Sequence, residues 1–193
     1  MTDSAKEAAL ASLNSNVKCI LDSLTITLRE KNKRYGNSAL EPANIFYKGS
    51  ANDSIRIRLD DKLKRVFNSD TLRKNDLFDI LGYLVLLCIS ENLNELGDAE
   101  TFEEKVDAVV KLFDHTTSNY LNGCVNQSAR NESRFFRKAG TYGLEVADNA
   151  LKIIKEDDEP GAKLFPSYYL ELAAGLILYF AEQDIIDFSD LLD

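Results

Sequence analysis

The chain has 193 residues, 45% hydrophobic and 28% charged, with a net charge of −9. That length allows one substantial core or two small packed halves, and the acidic average disfavours nucleic acid, whose affinity comes largely from phosphate neutralisation. Three prolines, nine glycines and few alternating β-branched runs argue against a sheet protein and predict an all-α bundle of about six helices.

Residues 5–30 place Leu10, Leu13, Val17, Ile20, Leu21, Leu24 and Leu28 at helical spacing, a first long helix. The stretch "KNKRYGNSALEPANIFYKGSANDS" mixes turn formers with rings and bases and reads as an irregular loop holding at most a short helix. "DSIRIRLDDKLKRVFN" is a second helix, with Asp53 or Ser54 as N-cap and Ile55, Leu59, Leu63 and Val66 as its apolar stripe. After a short turn in "SDTLRKND", "KNDLFDILGYLVLLC" begins a third helix reaching about Asn92, so the two form a hairpin.

Phe102, Val106, Val109, Val110 and Phe113 mark a fourth helix ending near Asn122 and Gly123. A fifth follows over about 127–156, then an acidic linker, "KEDDEPGAK", and a last apolar helix from near Pro166 to about Gln183. The tail "DIIDFSDLLD" fits a short amphipathic helix or a docked partner-binding segment. "ELAAGLILYF", opening at Glu171, echoes the start of the third helix, with Ala174 where Asp79 stands. Two halves, 1–98 and 99–193, follow from this order, the second a candidate degenerate repeat.

Cys19, Cys88 and Cys124 are widely separated and outside any CxxC or Cys/His cluster, which suggests neither a disulfide nor a zinc site. The apolar runs Ile80–Leu87 and Ala173–Ala181 are too short for a membrane span, and no N-terminal apolar signal is present. A cytoplasmic protein is expected. Its charge is uneven: residues 29–74 hold twelve Lys and Arg against six Asp and Glu. A basic island inside an acidic chain suits a small phosphorylated ligand, or simply a solvated helix face.

The chemistry concentrates at Asp60, Asp61, Asp76 and Asp79, on two adjacent predicted helices. Acids at i and i+3 share a face and suit a hard cation such as Mg²⁺, which can polarise a phosphoryl oxygen and activate water. The ordinary alternative is that Asp76 caps its helix, Asp79 pairs with Arg56 or Arg58, and Asp60 and Asp61 pair with Lys64 and Arg65. Arg34 suits a phosphate and Tyr35 a stacked base, although Tyr35 also fits a packing role; Gly36 would let backbone approach closely. Tyr83 lies on the flank of Asp76 and Asp79, within reach of a carboxylate. Arg130, Arg134 and Arg137 form a basic face, and His115 has no recognisable nucleophile arrangement around it.

"KRYGNSALEPANIFYKG", "IRIRLDDKLKRVFN" and "NDLFDILGYLVLL", in this order, resemble the first nucleotide-modification-associated domain family. These are mainly phage and bacterial proteins considered similar to MazG-like all-α nucleoside triphosphate pyrophosphatases. The resemblance covers roughly residues 29–90 and implies a MazG-like core with added C-terminal helices. In that superfamily ExxE and ExxD on neighbouring helices hold Mg²⁺ against the substrate's phosphates. Asp76 and Asp79 match ExxD with Asp in the first place; ExxE is replaced by the adjacent Asp60 and Asp61, with Arg58 three residues before Asp61.

The resemblance therefore implies an Mg²⁺-dependent pyrophosphohydrolase acting on a (deoxy)nucleoside triphosphate, with Asp60, Asp61, Asp76 and Asp79 as metal-holding catalytic residues. Arg34, Tyr35, Arg56, Arg58 and Tyr83 are the substrate-binding candidates. The missing ExxE element motivates an alternative, a non-catalytic nucleotide-binding or sequestering protein. A homodimer is the expected assembly, since such folds use oligomers to complete their bundles.

Overall fold

The computed structural model describes residues 3–46, 48–69, 73–130, 139–156 and 166–186. Six α-helices account for most of them: α1 (Asp3–Tyr35), α2 (Ala51–Phe67), α3 (Lys74–Ser90), α4 (Phe102–Arg130), α5 (Ala139–Glu156) and α6 (Pro166–Glu182). The chain is all-α; among the described residues there is no strand. None of these helices is long and apolar enough to cross a membrane.

Helix ends follow local chemistry. Ser50, ahead of the expected Asp53 or Ser54, caps α2: its hydroxyl oxygen accepts from the Asp53 N–H while the Asp53 carboxylate accepts from the Ser50 N–H. Asp53 is thus the N3 partner of a capping box, and the hydrogen bonds from Ser50 hold its carboxyl below the usual range. Thr101 and Glu104 form the same device ahead of α4, at 3.2 and 2.9 Å. At its other end α4 continues past the expected stop at Gly123 to Arg130. A helical glycine costs only about 1 kcal/mol relative to alanine, which the flanking turns absorb. Three helices are followed by a left-handed residue: Gly36 after α1, Asn92 after α3 and Asp184 after α6, with φ of 60°, 50° and 57°. At the last of these the Ile185 N–H donates back to the Phe180 carbonyl at 3.0 Å, a Schellman closure.

Two compact units emerge, drawn differently from the halves 1–98 and 99–193. One is built from the described residues of 3–23 and 112–186, the other from 24–111. The long helices α1 and α4 each contribute to both, because helices of 33 and 29 residues outrun a single small core.

In the first unit α5 packs on α6. α6 is apolar nearly all round, and Leu172, Ala173, Ala174, Ile177, Leu178, Phe180 and Ala181 are buried. Where the two helices cross, Gly143 faces Gly175: a Cβ on either would meet the other's carbonyl oxygen well inside contact distance. Asn16 secures the end of α6, its Nδ2 donating to the Ala181 carbonyl at 2.9 Å and to Asp184 Oδ1 at 3.1 Å. Glu171, the acid that echoes Asp76, accepts a hydrogen bond from Tyr120 of α4. Burial, followed by the Glu171 charge, pushes that phenol up to about 12. The Tyr120 and Tyr142 rings stand 6.1 Å apart and tilted.

In the second unit α2 and α3 form the expected hairpin. α3 is buried along most of its length, from Leu77 and Phe78 to Cys88 and Ile89. Burial pushes the Cys88 thiol up to about 12, so it packs as a small apolar group, whereas Cys19 is exposed. The side chains of Cys124 and Arg130, together with Arg134, Arg137, the turn at 70–72, most of the acidic linker and the tail beyond 186, lie outside the described residues.

Candidate functional site

The second unit contains the acids singled out in the sequence, and the structure separates them into two groups. Asp76, at the third position of α3, is buried at 8% exposure. Asp79 lies one turn further on with its side chain 29% exposed. Asp76 does not cap its helix: Arg73 holds the N-cap position and supplies no side-chain cap. Both carboxylates instead face Lys62 of α2, whose Nζ donates to Asp79 Oδ2 at 2.6 Å and to Asp76 Oδ1 at 3.4 Å. Lys31 of α1 reaches Asp79 Oδ1 at 3.5 Å, and Arg65 of α2 reaches Asp76 Oδ1 at 3.9 Å. Three cations thus serve two acids, and the energetic problem of the buried pair is solved by lysine.

Asp79 therefore pairs with Lys62 and Lys31 rather than with Arg56 or Arg58. Arg56 donates to Glu91 and to Asn52, both at 2.6 Å, and ties the start of α2 to the end of α3. Arg58, Asp60 and Asp61 are exposed; Asp60 and Asp61 lie off the buried stripe of α2, and Arg58 flanks it one turn before Lys62. Asp61 shares its face with Lys64, Arg65 and Asn68, at i, i+3, i+4 and i+7. These four, with Ser69 and Arg73, line a cleft of about 500 Å³. Tyr83 is half-buried on α3; Arg34 and the 67% exposed Tyr35 stand one turn beyond Lys31 at the end of α1.

The donor set does not fit a resident Mg²⁺ ion. Among the described residues no group of three or more His, Cys, Asp or Glu is placed to hold a metal. The two acids that do converge have an ammonium group between them, and a hydrated Mg²⁺ needs that space and that charge for itself.

Lys62 is the residue that sequence reading missed, although its signal was present. Along α2 the series Ile55, Leu59, Lys62, Val66 turns through one buried stripe, and Lys62 falls in its middle. A lysine on an apolar stripe facing a helix with two acids is an ion-pair signature. The pair has a pH consequence. Burial opposes the charge on Lys62, but the hydrogen bond and charge of Asp79 outweigh it and hold the ammonium above its ordinary value near 10.5. A raised folded-state value means that this stabilisation is complete below the unfolded value and is lost as pH rises through the folded one. The difference in urea midpoint between the wild type and Lys62→Met is expected to stay constant from about pH 7 to 10 and to shrink above about pH 10.5.

No family model, curated protein or solved structure matches this chain.

Proposed function

We propose that the chain is a nucleotide-binding protein that holds the phosphates of its ligand in the cleft lined by Lys64, Arg65 and Arg73, without metal-dependent hydrolysis. The observation that carries this reading is the convergence of three cations on one cleft beside an acid pair that is already compensated. A volume of about 500 Å³ lies within the range of small-ligand sites. Lys64 and Arg65 reach it from the last turns of α2, and Arg73 from the start of α3, where the first N–H groups of that helix favour an anion. Asn68 and Ser69 add neutral hydrogen-bonding groups for a sugar or a phosphate oxygen.

Calorimetry with ATP and dATP in the presence of EDTA tests the reading. Binding is expected without divalent ions, weakening with added salt, and at least about tenfold weaker in Lys64→Glu/Arg73→Glu, since each charge-assisted contact is worth about 1.5–3 kcal/mol. Mg²⁺-dependent release of pyrophosphate that Asp76→Ala or Asp79→Ala abolishes would replace this reading with the pyrophosphohydrolase that the sequence resemblance implies. Failure of every nucleotide to bind would remove both.

A further inference from the structure

We propose that Arg65 is shared between the basic cleft and the buried acid Asp76, so that a ligand phosphate draws the guanidinium off Asp76 and the acid sets how tightly the cleft binds. The inference rests on the reading of the cleft as an anion site, and it makes Asp76 a positioning residue that acts through Arg65. It starts from a double role. Arg65 lines the cleft with Lys64 and Arg73, and its Nη1 stands 3.9 Å from Asp76 Oδ1.

The two ends of that contact differ in freedom. The Asp76 side chain is 11% exposed and rooted in the first turn of α3, whereas the Arg65 side chain is 59% exposed on a long stem. At 3.9 Å the guanidinium is attracted by the acid without a hydrogen bond to orient it, while phosphate oxygens accept directly from a guanidinium, often two at a time. Asp76 keeps a counter-charge when Arg65 leaves, because the Lys62 ammonium stands 3.4 Å from the same oxygen. Departure also removes a repulsion, since the Arg65 charge works against the ammonium of Lys62. An anion that engages Arg65 thus competes with Asp76 for it and leaves the acid compensated.

The same contact separates Asp76 from Asp79. The two acids carry the same charge one turn apart, but the ion pairs of Asp79 among the described residues are with Lys62 and Lys31. Removing either charge eases the approach of any anion by lessening Coulomb repulsion; only at Asp76 does it also release Arg65.

Calorimetry with ATP and with inorganic pyrophosphate, both in EDTA, reads the competition on the full chain. Asp76→Asn is expected to bind each probe at least about threefold tighter than Asp79→Asn does, the worth of one exposed ion pair, and the excess should vanish in the Arg65→Gln background. A second readout leaves the acids unmutated. In protein labelled with carbon-13 at its aspartate carboxyls, saturating pyrophosphate should move the Asp76 signal more than that of Asp79, and Arg65→Gln should abolish the difference. This measurement decides alone if Asp76→Asn does not fold. Equal affinities for Asp76→Asn and Asp79→Asn, an excess that survives Arg65→Gln, or an unmoved Asp76 signal in saturated protein would overturn the sharing while leaving the cleft in place. Weaker binding by Asp76→Asn would overturn it too, since the acid would then be orienting Arg65 toward the ligand instead of holding it back. Wild type that binds neither probe removes the reading of the cleft and this inference with it.

Discussion

Gly175→Ala is expected to destabilise the protein by about 2 kcal/mol or more, lowering Tm by roughly 4–8 °C in a chain of this size. On helix propensity alone the sign would be opposite, since alanine is favoured over glycine inside a helix by about 1 kcal/mol. The crossing with α5 reverses it. The added methyl group would meet the Gly143 carbonyl oxygen well inside contact, the Ala147 nitrogen at 2.8 Å and the Ala147 Cβ at 2.9 Å. Two of these obstacles are backbone atoms in a helix, which no rotamer change can move, so the helices must separate and lose contact along their crossing. Gly143→Ala should behave likewise, since its Cβ would meet the Gly175 carbonyl, the Leu178 Cβ at 2.9 Å and the Tyr179 nitrogen at 3.2 Å. Gly123→Ala is the control: nothing lies within 4 Å of its Cβ, and a gain of about 0.5–1 kcal/mol is expected. Differential scanning calorimetry of the three variants checks all the signs, and an unchanged Tm for Gly175→Ala would refute the close crossing.

Lys62→Met should cost about 3 kcal/mol at neutral pH, the lower end of the range for breaking a buried ion pair. The lower end applies because Asp79 keeps 29% of its side chain exposed, with Lys31 still beside it. Asp76 carries most of the penalty, being the more buried carboxylate and left, among the described residues, with Arg65 at 3.9 Å. One feature separates this from a plain packing defect. Adding Asp76→Asn and Asp79→Asn to Lys62→Met should recover most of the loss, because the charge that lacked a partner is gone. Chemical denaturation at neutral pH measures it; a loss that the paired substitutions do not relieve would assign the effect to shape alone.

Much of the fold was legible because apolar periodicity and turn residues act locally. The hairpin of α2 and α3 and the limits of α6 fall where the 3.6-residue pattern and its breakers put them. The differences also have local causes. Ser50 captured the N-terminus of α2 because a hydroxyl three residues before an acid can close a reciprocal box, which Asp53 as N-cap could not. Gly123 failed to end α4 because a glycine terminates a helix only where the chain turns to positive φ, as it does at Gly36.

The site divides in the same way. The sequence by itself placed Asp76 and Asp79 on one flank of a helix buried nearly all round, and so determined that they must be neutralised. It could not say by what. Spacing along one helix fixes which side chains share a face, but the identity of a partner depends on which face of the next helix turns inward. The burial of Ile55 and Leu59 turned Lys62 toward the acids and Asp60 and Asp61 away from them. That rotation, set by packing apolar area against α3, decided that an ammonium group meets the carboxylates and that Asp61 joins Lys64 and Arg65 on the wall of a basic cleft.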